Sequence, residues 1–384
     1  MSREAAKEVI AILYLRTNVF EEALNRIRFL YDNHDDVIVS MSGGKDSTVL
    51  FHLTLQVAKE RGRLPLKVFW LDQEAEWQAT VDYMRGIMYR EDVKPYWFQI
   101  PFDFTNSLSP VANFIHVWGP EKKDLWVHPQ DPLSIKENPT DCDRFHDLVN
   151  TLPQHCTDSD NCAVLVGMRI TESLNRRACI AHGKVVYKGI TWCKKKKGKT
   201  QTFWPIYDFT TDDIWAALAK NHWPYNRIYE YEYQAGIQKQ AMRVSALIHE
   251  TAWHSIEFLQ EFEPETYDRF VRRIAGASTF NHSFDSECVI PKELPFTFAS
   301  WLEYRDYLLE HITQLQYRDL FRRRWAKQTG DDWYKVHVKE IILNDIDGTN
   351  NANAFSKFNL ARKRDSGVYN ERDRRQFLAA KGEV

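Results

Sequence analysis

The chain has 384 residues, with 51 Lys+Arg against 53 Asp+Glu, and its formal net charge of −2 excludes a globally basic nucleic-acid coat while leaving room for local basic patches. Hydrophobic residues at 43% and charged residues at 27% exclude wholesale disorder, and 13 Trp, 17 Tyr and 22 Phe can build a large core. Six cysteines without a Cys-x-x-Cys pair make no disulfide scaffold, and no apolar run approaches the ~18 residues of a membrane span. The apolar stretch near Val9 lacks a following small-residue cleavage site, so no signal peptide is expected. The composition reads as a soluble protein of a reducing, cytoplasmic compartment, with no membrane partner.

Residues 2–33 read as two helices, the second carrying Val19, Ala23, Ile27 and Leu30 at helical spacing. Val37-Ile38-Val39, bounded by Asp35-Asp36 and Gly43-Gly44, reads as a buried parallel strand. A helix is expected over 45–61, a strand over 66–71, a helix over 75–92 and a strand over 95–100. This alternation predicts an α/β fold: a doubly wound, mostly parallel sheet with helices on both faces. Residues 101–150, rich in Pro and aromatics, read as a long excursion ending in a helix near 141–150. A strand is expected over 161–167, a short strand within 184–204, and a helix from Thr211 with Thr210 or Thr211 as N-cap. Beyond residue 236 the pattern is helical over 238–249, 251–262, 264–276, 297–311, 313–328 and 331–342. These expectations divide the chain into a sheet domain (1–235), a helical domain (236–345) and a basic tail (346–384).

The sharpest feature is Ser40-Met41-Ser42-Gly43-Gly44-Lys45-Asp46-Ser47-Thr48, directly between a strand and a helix. Gly43 and Gly44 let the backbone approach an anion and aim N–H groups at it. The helix that follows turns its positive dipole end to the same spot. Ser42, Ser47 and Thr48 can donate hydroxyls, Lys45 adds charge, and Asp46 can orient the loop or reach a metal ion. The Walker pattern is absent. A plain Gly-Gly turn with a Ser cap is the alternative, and the density of polar groups speaks against it.

Asp72 closes the second strand, where doubly wound sheets bind ligands, and is placed to meet a ribose hydroxyl, a base or Mg²⁺; a helix N-cap is the alternative. Gly167 ends a later strand, and Arg169 can pair bidentately with phosphate or sulfate. Glu172 and Arg176 share a helical face, for ligand contact or for an i,i+4 salt bridge. Asp208 and Asp213 read as a turn residue and a first-turn helix acid. Lys188, Lys194–Lys197 and Lys199 form a basic loop, either a solvated surface or a mobile lid over the site. Arg243 is expected on an apolar helix, buried, against a carboxylate or substrate. Arg318, Arg322–Arg324, Arg362-Lys363-Arg364, Arg372 and Arg374-Arg375 suit nucleic acid or an acidic protein partner, or line exposed helix faces.

The run at 42–47, SGGKDS, resembles the pyrophosphate loop of the PP-loop ATP-pyrophosphatase superfamily. Gly167-Met168-Arg169-Ile170-Thr171-Glu172-Ser173 with Arg176 resembles the G-x-R-x-x-E-S…R segment of the phosphoadenosine-phosphosulfate (PAPS) reductase family. The segment from Trp204 to Trp215 resembles that family's P-I-x-D-W-T-x-x-D-V-W, so the likeness covers roughly 20–235. Tyr225–Tyr229 and Ala241–Val244 are similar to a subgroup with a helical extension that includes the immunoglobulin-binding regulator A proteins.

The resemblance implies an adenine nucleotide alpha hydrolase-like fold that binds ATP or PAPS with Mg²⁺, Asp46 being the metal-ligand candidate. It implies cleavage of the α–β bond of ATP, adenylating an acceptor in sulfur transfer or nucleic-acid modification. Lys45, Asp46 and Arg169 would be catalytic, with pyrophosphate on residues 42–48. The alternatives are reduction of PAPS to sulfite with a thiol donor, and a regulatory component that binds nucleotide without turnover. The reductases carry a nucleophilic Cys in a Glu-Cys-Gly-x-His context, which Glu287-Cys288-Val289 matches only in part. They also follow the Asp72 position with Thr-Gly, where this chain has Gln73-Glu74-Ala75-Glu76-Trp77. No iron–sulfur cluster is expected, because paired cysteines are missing. Cys142, His146, Cys156 and Cys162 lack a zinc-finger spacing, and the three cysteines read as ordinary buried thiols.

Overall fold

The computed structural model describes residues 17–355 and Phe358, apart from 110–111, 173–175, 178–179, 181–184, 250–251, 278–289 and 313. The first expected helix, Ser173, Cys288 and the basic tail from residue 361 lie outside the described residues.

Helix α1 (Val19–Asn33) is capped by Asn18, whose side chain accepts from the Glu21 N–H, and it buries Ala23, Leu24, Ile27 and Leu30. Strand β1 (Asp36–Ser40), helix α2 (Lys45–Glu60), strand β2 (Leu66–Leu71), helix α3 (Gln78–Met88) and strand β3 (Val93–Phe98) follow as two β-α-β units. An antiparallel hairpin, β4 (Phe102–Thr105) and β5 (Phe114–Val117), precedes helix α4 (Phe145–Thr151). Strands β6 (Cys162–Val166) and β7 (Thr200–Phe203) complete a five-stranded parallel sheet in the order β3-β2-β1-β6-β7. The expected α/β fold with a mostly parallel sheet is therefore present, and the strand order reverses between β1 and β6.

The pleat sorts the strand residues between two cores. Val37 and Val39, with Leu66, Val68 and Trp70, face a core built with α1, α2 and α3. Ile38, Phe69 and Leu71 face the other side, against the hairpin and residues 228–277. Helices α5 (Thr211–Lys220), α6 (Ile228–Gln234), α7 (Trp253–Phe262) and α8 (Pro264–Arg273) follow β7. Thr210 is the N-cap of α5, in a reciprocal capping box with Asp213. Asp208 is more than a turn residue, since its carboxylate takes a bidentate pair of hydrogen bonds from Arg26 of α1, both 2.7 Å. A smaller cluster of Leu309, Phe321, Trp325 and Ile341 joins α9 (Trp301–Glu310), α10 (Leu315–Trp325) and α11 (Asp331–Ile342). Among the described residues no helix is long and apolar enough to cross a membrane.

Two expectations fail. The hairpin at 102–117 was hidden in a segment read as an excursion. The helix expected over 238–249 is absent. Gly236, at φ +77°, ends α6, and the chain continues as turns and extended backbone. Its backbone groups are taken by distant partners. The Met242 carbonyl accepts from Lys45 Nζ, Arg243 N–H donates to Glu232 Oε1, and Leu247 N–H donates to the Ala75 carbonyl. An apolar pattern that mimics helical spacing yields to those bonds.

Candidate functional site

Strand β1 delivers residues 41–44 to the amino end of α2, on the carboxyl edge of the sheet. Gly43 has φ +71°, and a Cβ there would stand 2.9 Å from Thr80 Cγ2, so both the turn and the packing require glycine. Gly167 is required for another reason: a Cβ would lie 2.9 Å from the Ser47 amide nitrogen, so β6 can approach the first turn of α2 only without a side chain.

The loop's hydroxyls are interlinked. Ser42 Oγ lies 3.2 Å from Ser47 Oγ, and Ser47 and Thr48 each donate to the Gly44 carbonyl at 2.9 Å. Thr48 Oγ1 also meets Tyr83 at 2.8 Å. Ser42 is exposed and Ser40 half-buried, whereas Gly43, Gly44, Ser47 and Thr48 are buried. Gly44, the α2 N-cap, has no side-chain cap bond, so the helix end is left to its backbone amides.

Lys45 does not reach into open solvent as an uncommitted cation. It is buried, its amide donates to the Tyr229 phenol oxygen at 2.8 Å, and its ammonium donates to the Met242 carbonyl at 2.8 Å. Burial lowers its pKa, against the opposing pull of Asp46 at 3.7 Å. Asp46 is bound by Arg169 through Nε. Arg169 is itself buried and reaches Thr171 at 3.0 Å and Thr211 at 3.4 Å. Glu172 stands 3.6 Å from Arg169 and pairs with Arg176, the i,i+4 bridge read from the sequence.

Arg243 is not the buried helical residue expected. It is exposed at the same site, and no carboxylate ion pair forms to it among the described residues. Its charge is felt by Lys45, Glu232 and Arg176. Glu232 was missed in the sequence. Its Oε2 is buried without a hydrogen-bond partner, and burial pushes its carboxyl up to about 7. Only its place in α6 next to Tyr229 hinted at the site, since Lys45 lies far away in sequence.

Asp72 is fully buried. Its carboxylate accepts from Trp97 Nε1 at 3.1 Å, Gln99 Nε2 at 2.8 Å and Glu74 N–H at 3.0 Å, and His128 Nε2 stands 3.3 Å away. Burial opposes charge on His128, but Asp72 raises its pKa overall. Glu76, buried beside Asp72, has its carboxyl pushed well up by burial and by that neighbour's charge. The segment that departs from the reductase pattern is instead tied to the C-terminal helices. Glu74 pairs with Arg273 at 2.6 Å, and Glu263 caps the Gln78 and Ala79 amides of α3 at 2.7 and 2.8 Å.

The basic loop is not a lid over this site. Lys199 O accepts from the Cys162 amide, and Cys162 pairs with Asp36 and Thr200 at the amino ends of their strands. Four residues of strand, about 13 Å, separate that edge from Val166 and the glycine loop. Cys156 and Cys162 are buried at the same far edge. Burial pushes both thiols up, Cys162 to about 12.

The donor set offers no Mg²⁺ cage. Asp46 Oδ1 already accepts from Arg169 and its Oδ2 faces Lys45, so the carboxylate expected to reach a metal is neutralised by two cations. No group of three His, Cys, Asp or Glu suited to a metal occurs among the described residues. A Mg²⁺ ion here would be carried by a nucleotide's phosphates rather than by the protein.

The family model described as "Phosphoadenosine phosphosulfate reductase domain" matches residues 36–235, just over half of the chain. The uncharacterized protein YbdN of Escherichia coli (strain K12) is 26% identical over 359 residues, covering 86% of each chain. The structure aligns with Candida glabrata FMN adenylyltransferase, in complex with FAD and inorganic pyrophosphate, at TM-score 0.35 and 13% identity, covering 57% of this chain and 65% of that one. The chain thus spans just under two thirds of the adenylyltransferase's length. It aligns with phosphoadenylyl-sulfate reductase from Candida auris at TM-score 0.33 and 12% identity, covering 57% and 93%.

Proposed function

We propose an activity from one premise: this chain belongs to the phosphoadenosine phosphosulfate reductase domain family. The protein is a nucleotide-dependent PP-loop enzyme. It binds ATP with the β- and γ-phosphates on residues 42–48 and transfers the adenylyl group to an acceptor. The observation that carries this reading is the charge at the loop. Lys45, Arg169, Arg176 and Arg243 gather at one helix amino end, against Asp46, Glu172 and a Glu232 whose pKa is about 7. That surplus of positive charge suits an anion.

The acceptor's nucleophile attacks the α-phosphorus, and the bond from that phosphorus to the bridging oxygen breaks. The electron pair stays on pyrophosphate. The first-turn amides of α2, Ser42 and Arg169 meet the developing charge. Mg²⁺ carried by the phosphates supplies further charge neutralisation. Lys45 reaches a phosphate by exchanging the Met242 carbonyl for a phosphate oxygen. We place the chain in the subgroup with a helical extension because Glu74, Ala75 and the α3 amino end are built to receive that extension.

Calorimetric titration with ATP and with PAPS, followed by a pyrophosphate-release assay, tests the reading. ATP binding with release of pyrophosphate supports it, and unchanged nucleotide affinity in a folded Ser42→Ala/Lys45→Ala variant would sink it. The family's description favours a second reading, reduction of PAPS with a thiol donor. Sulfite formation that disappears in Cys288→Ser would establish that chemistry in place of adenylation.

A further inference from the structure

A cavity of about 520 Å³ lies against the PP-loop on its α5–α6 side, a volume in the range of small-molecule sites. Tyr229 and Met242 line it, and these residues hold Lys45 through a phenol oxygen and a carbonyl. Trp215, Tyr225 and Tyr233 line it too, with Trp215 edge-on to Tyr225 and Tyr229 at 5.5 and 5.4 Å between centroids. Tyr233 is 75% exposed and presents its ring at the mouth of this aromatic lining. The indole N–H of Trp215 is buried and has no hydrogen-bond partner among the described residues. An unmade bond of that kind is costly, and an acceptor on a ligand recovers it where the indole turns its edge to the cavity. Asp212, paired with Lys239 at 2.6 Å, and Glu230 complete the lining with two carboxylates to one ammonium.

These features define a ligand. Aromatic walls take a planar ring. The orphan N–H asks for a ring nitrogen or carbonyl. The acidic balance repels polyphosphate, so the phosphates of a nucleotide stay with the cations of the loop. The strand order reverses between β1 and β6, the place where doubly wound sheets take their ligand, and a nucleotide held on the loop would lay its nucleoside there. The cavity is left for a second molecule. Resting on the PP-loop reading, we propose that this cavity is the acceptor site, holding a second substrate built on a neutral or cationic, planar nitrogen-heteroaromatic ring of nucleobase size. Tyr229 joins the two sites: its ring lines the cavity, and its hydroxyl takes the first amide of α2.

The test uses the full chain and three titrations: inorganic pyrophosphate, α,β-methylene-ATP, and adenosine into protein saturated with that analogue. Two variants are compared with the wild type. Tyr233→Ser removes an exposed ring, and Trp215→Phe keeps a ring but removes the N–H. Adenosine should bind the analogue-loaded wild type and weaken about tenfold in each variant, while pyrophosphate and the analogue stay within about twofold. Adenosine that does not bind the loaded protein, or that binds the variants equally well, overturns the proposal. So does loss of analogue affinity in the variants, which would give the cavity to the nucleotide's own adenine. Failure of pyrophosphate to bind the wild type is a separate result and strikes the PP-loop reading itself.

Discussion

Arg324 and Arg169 both leave solvent to meet a carboxylate, and the groups around them differ. Arg324 donates to Glu340 at 2.8 Å, to the Asp345 carbonyl at 2.8 Å and to the Ile346 carbonyl. The second oxygen of Glu340 takes Trp325 Nε1 at 2.7 Å and Asn351 at 2.9 Å. One cation, one anion and a ring of neutral partners balance there, and the cluster ties α10 to α11 and the turn that follows. Around Arg169 the count is four cations to three carboxyls, one of them half-protonated near neutral pH. Balanced buried charge holds helices together, whereas a surplus made by the exposed Arg176 and Arg243 beside the buried Lys45 and Arg169 suits a ligand. The run at 322–324, read in sequence as a surface for nucleic acid or an acidic partner or else as an exposed helix face, thus divides: Arg324 is interior, while Arg322 stands 3.7 Å from Asp319 on the outer face.

The contrast breaks if the two arginines behave alike. Arg324→Ala should cost about 3 kcal/mol in urea denaturation, since it strands the buried Glu340, and Arg169→Ala should cost less, since Asp46 is half-buried and keeps Lys45 at 3.7 Å. Only Arg169→Ala should weaken pyrophosphate binding, by roughly tenfold to a hundredfold, the worth of a charged hydrogen bond. Equal pyrophosphate affinities in the two variants would return Arg169 to a structural role.

Glu232 sharpens the contrast through pH. Burial pushes its carboxyl up to about 7, above the ordinary glutamate value of 4.5. Between those values the folded state holds the proton more tightly than the unfolded state, so this group withdraws stability as pH rises through the window. Glu232→Gln keeps the acceptor for the Arg243 amide and removes the titration. Stability of the variant relative to wild type should therefore grow from pH 5 to pH 8, reaching about 3 kcal/mol at most. A parallel pair of stability–pH curves would mean that Glu232 titrates normally.

The strand–turn–helix that carries the glycine loop, and the strand that ends at Gly167 before Arg169, were legible because their pattern is local: a strand, a turn and a helix start leave a mark within ten residues. The parallel sheet was legible for the same reason, through Val37–Val39 and Leu66–Leu71. Tyr229, Met242 and Glu232 were not, because they act on Lys45 from far along the chain, and Met242 does so through a carbonyl that no side chain announces. The false helix over 238–249 has the same root. Val244, Leu247 and Ile248 repeat at helical spacing, yet tertiary partners at Lys45, Glu232 and Ala75 claim the backbone first. Asp72 was placed on the right strand end, but Trp97, Gln99 and Glu74 already satisfy its carboxylate.

The smallest expected effect tests position alone. Lys194–Lys197 carry as much positive charge as the four cations at the PP-loop, but Lys196 and Lys197 sit at the opposite edge of the sheet and Lys194 lies outside the edge strand β7, its amide on the Thr202 carbonyl. Lys196 donates to the Asp160 carbonyl at 2.6 Å, and Lys197 pairs with Thr200 at the start of β7. At physiological salt the screening length is about 8 Å, shorter than the strand that separates the two edges. Replacing all four lysines with Gln should therefore leave pyrophosphate affinity within about twofold, and stability within about 0.5 kcal/mol, as for other surface changes. A loss of tenfold or more would mean that the loop reaches the phosphates after all, and charge density rather than placement would then explain the site.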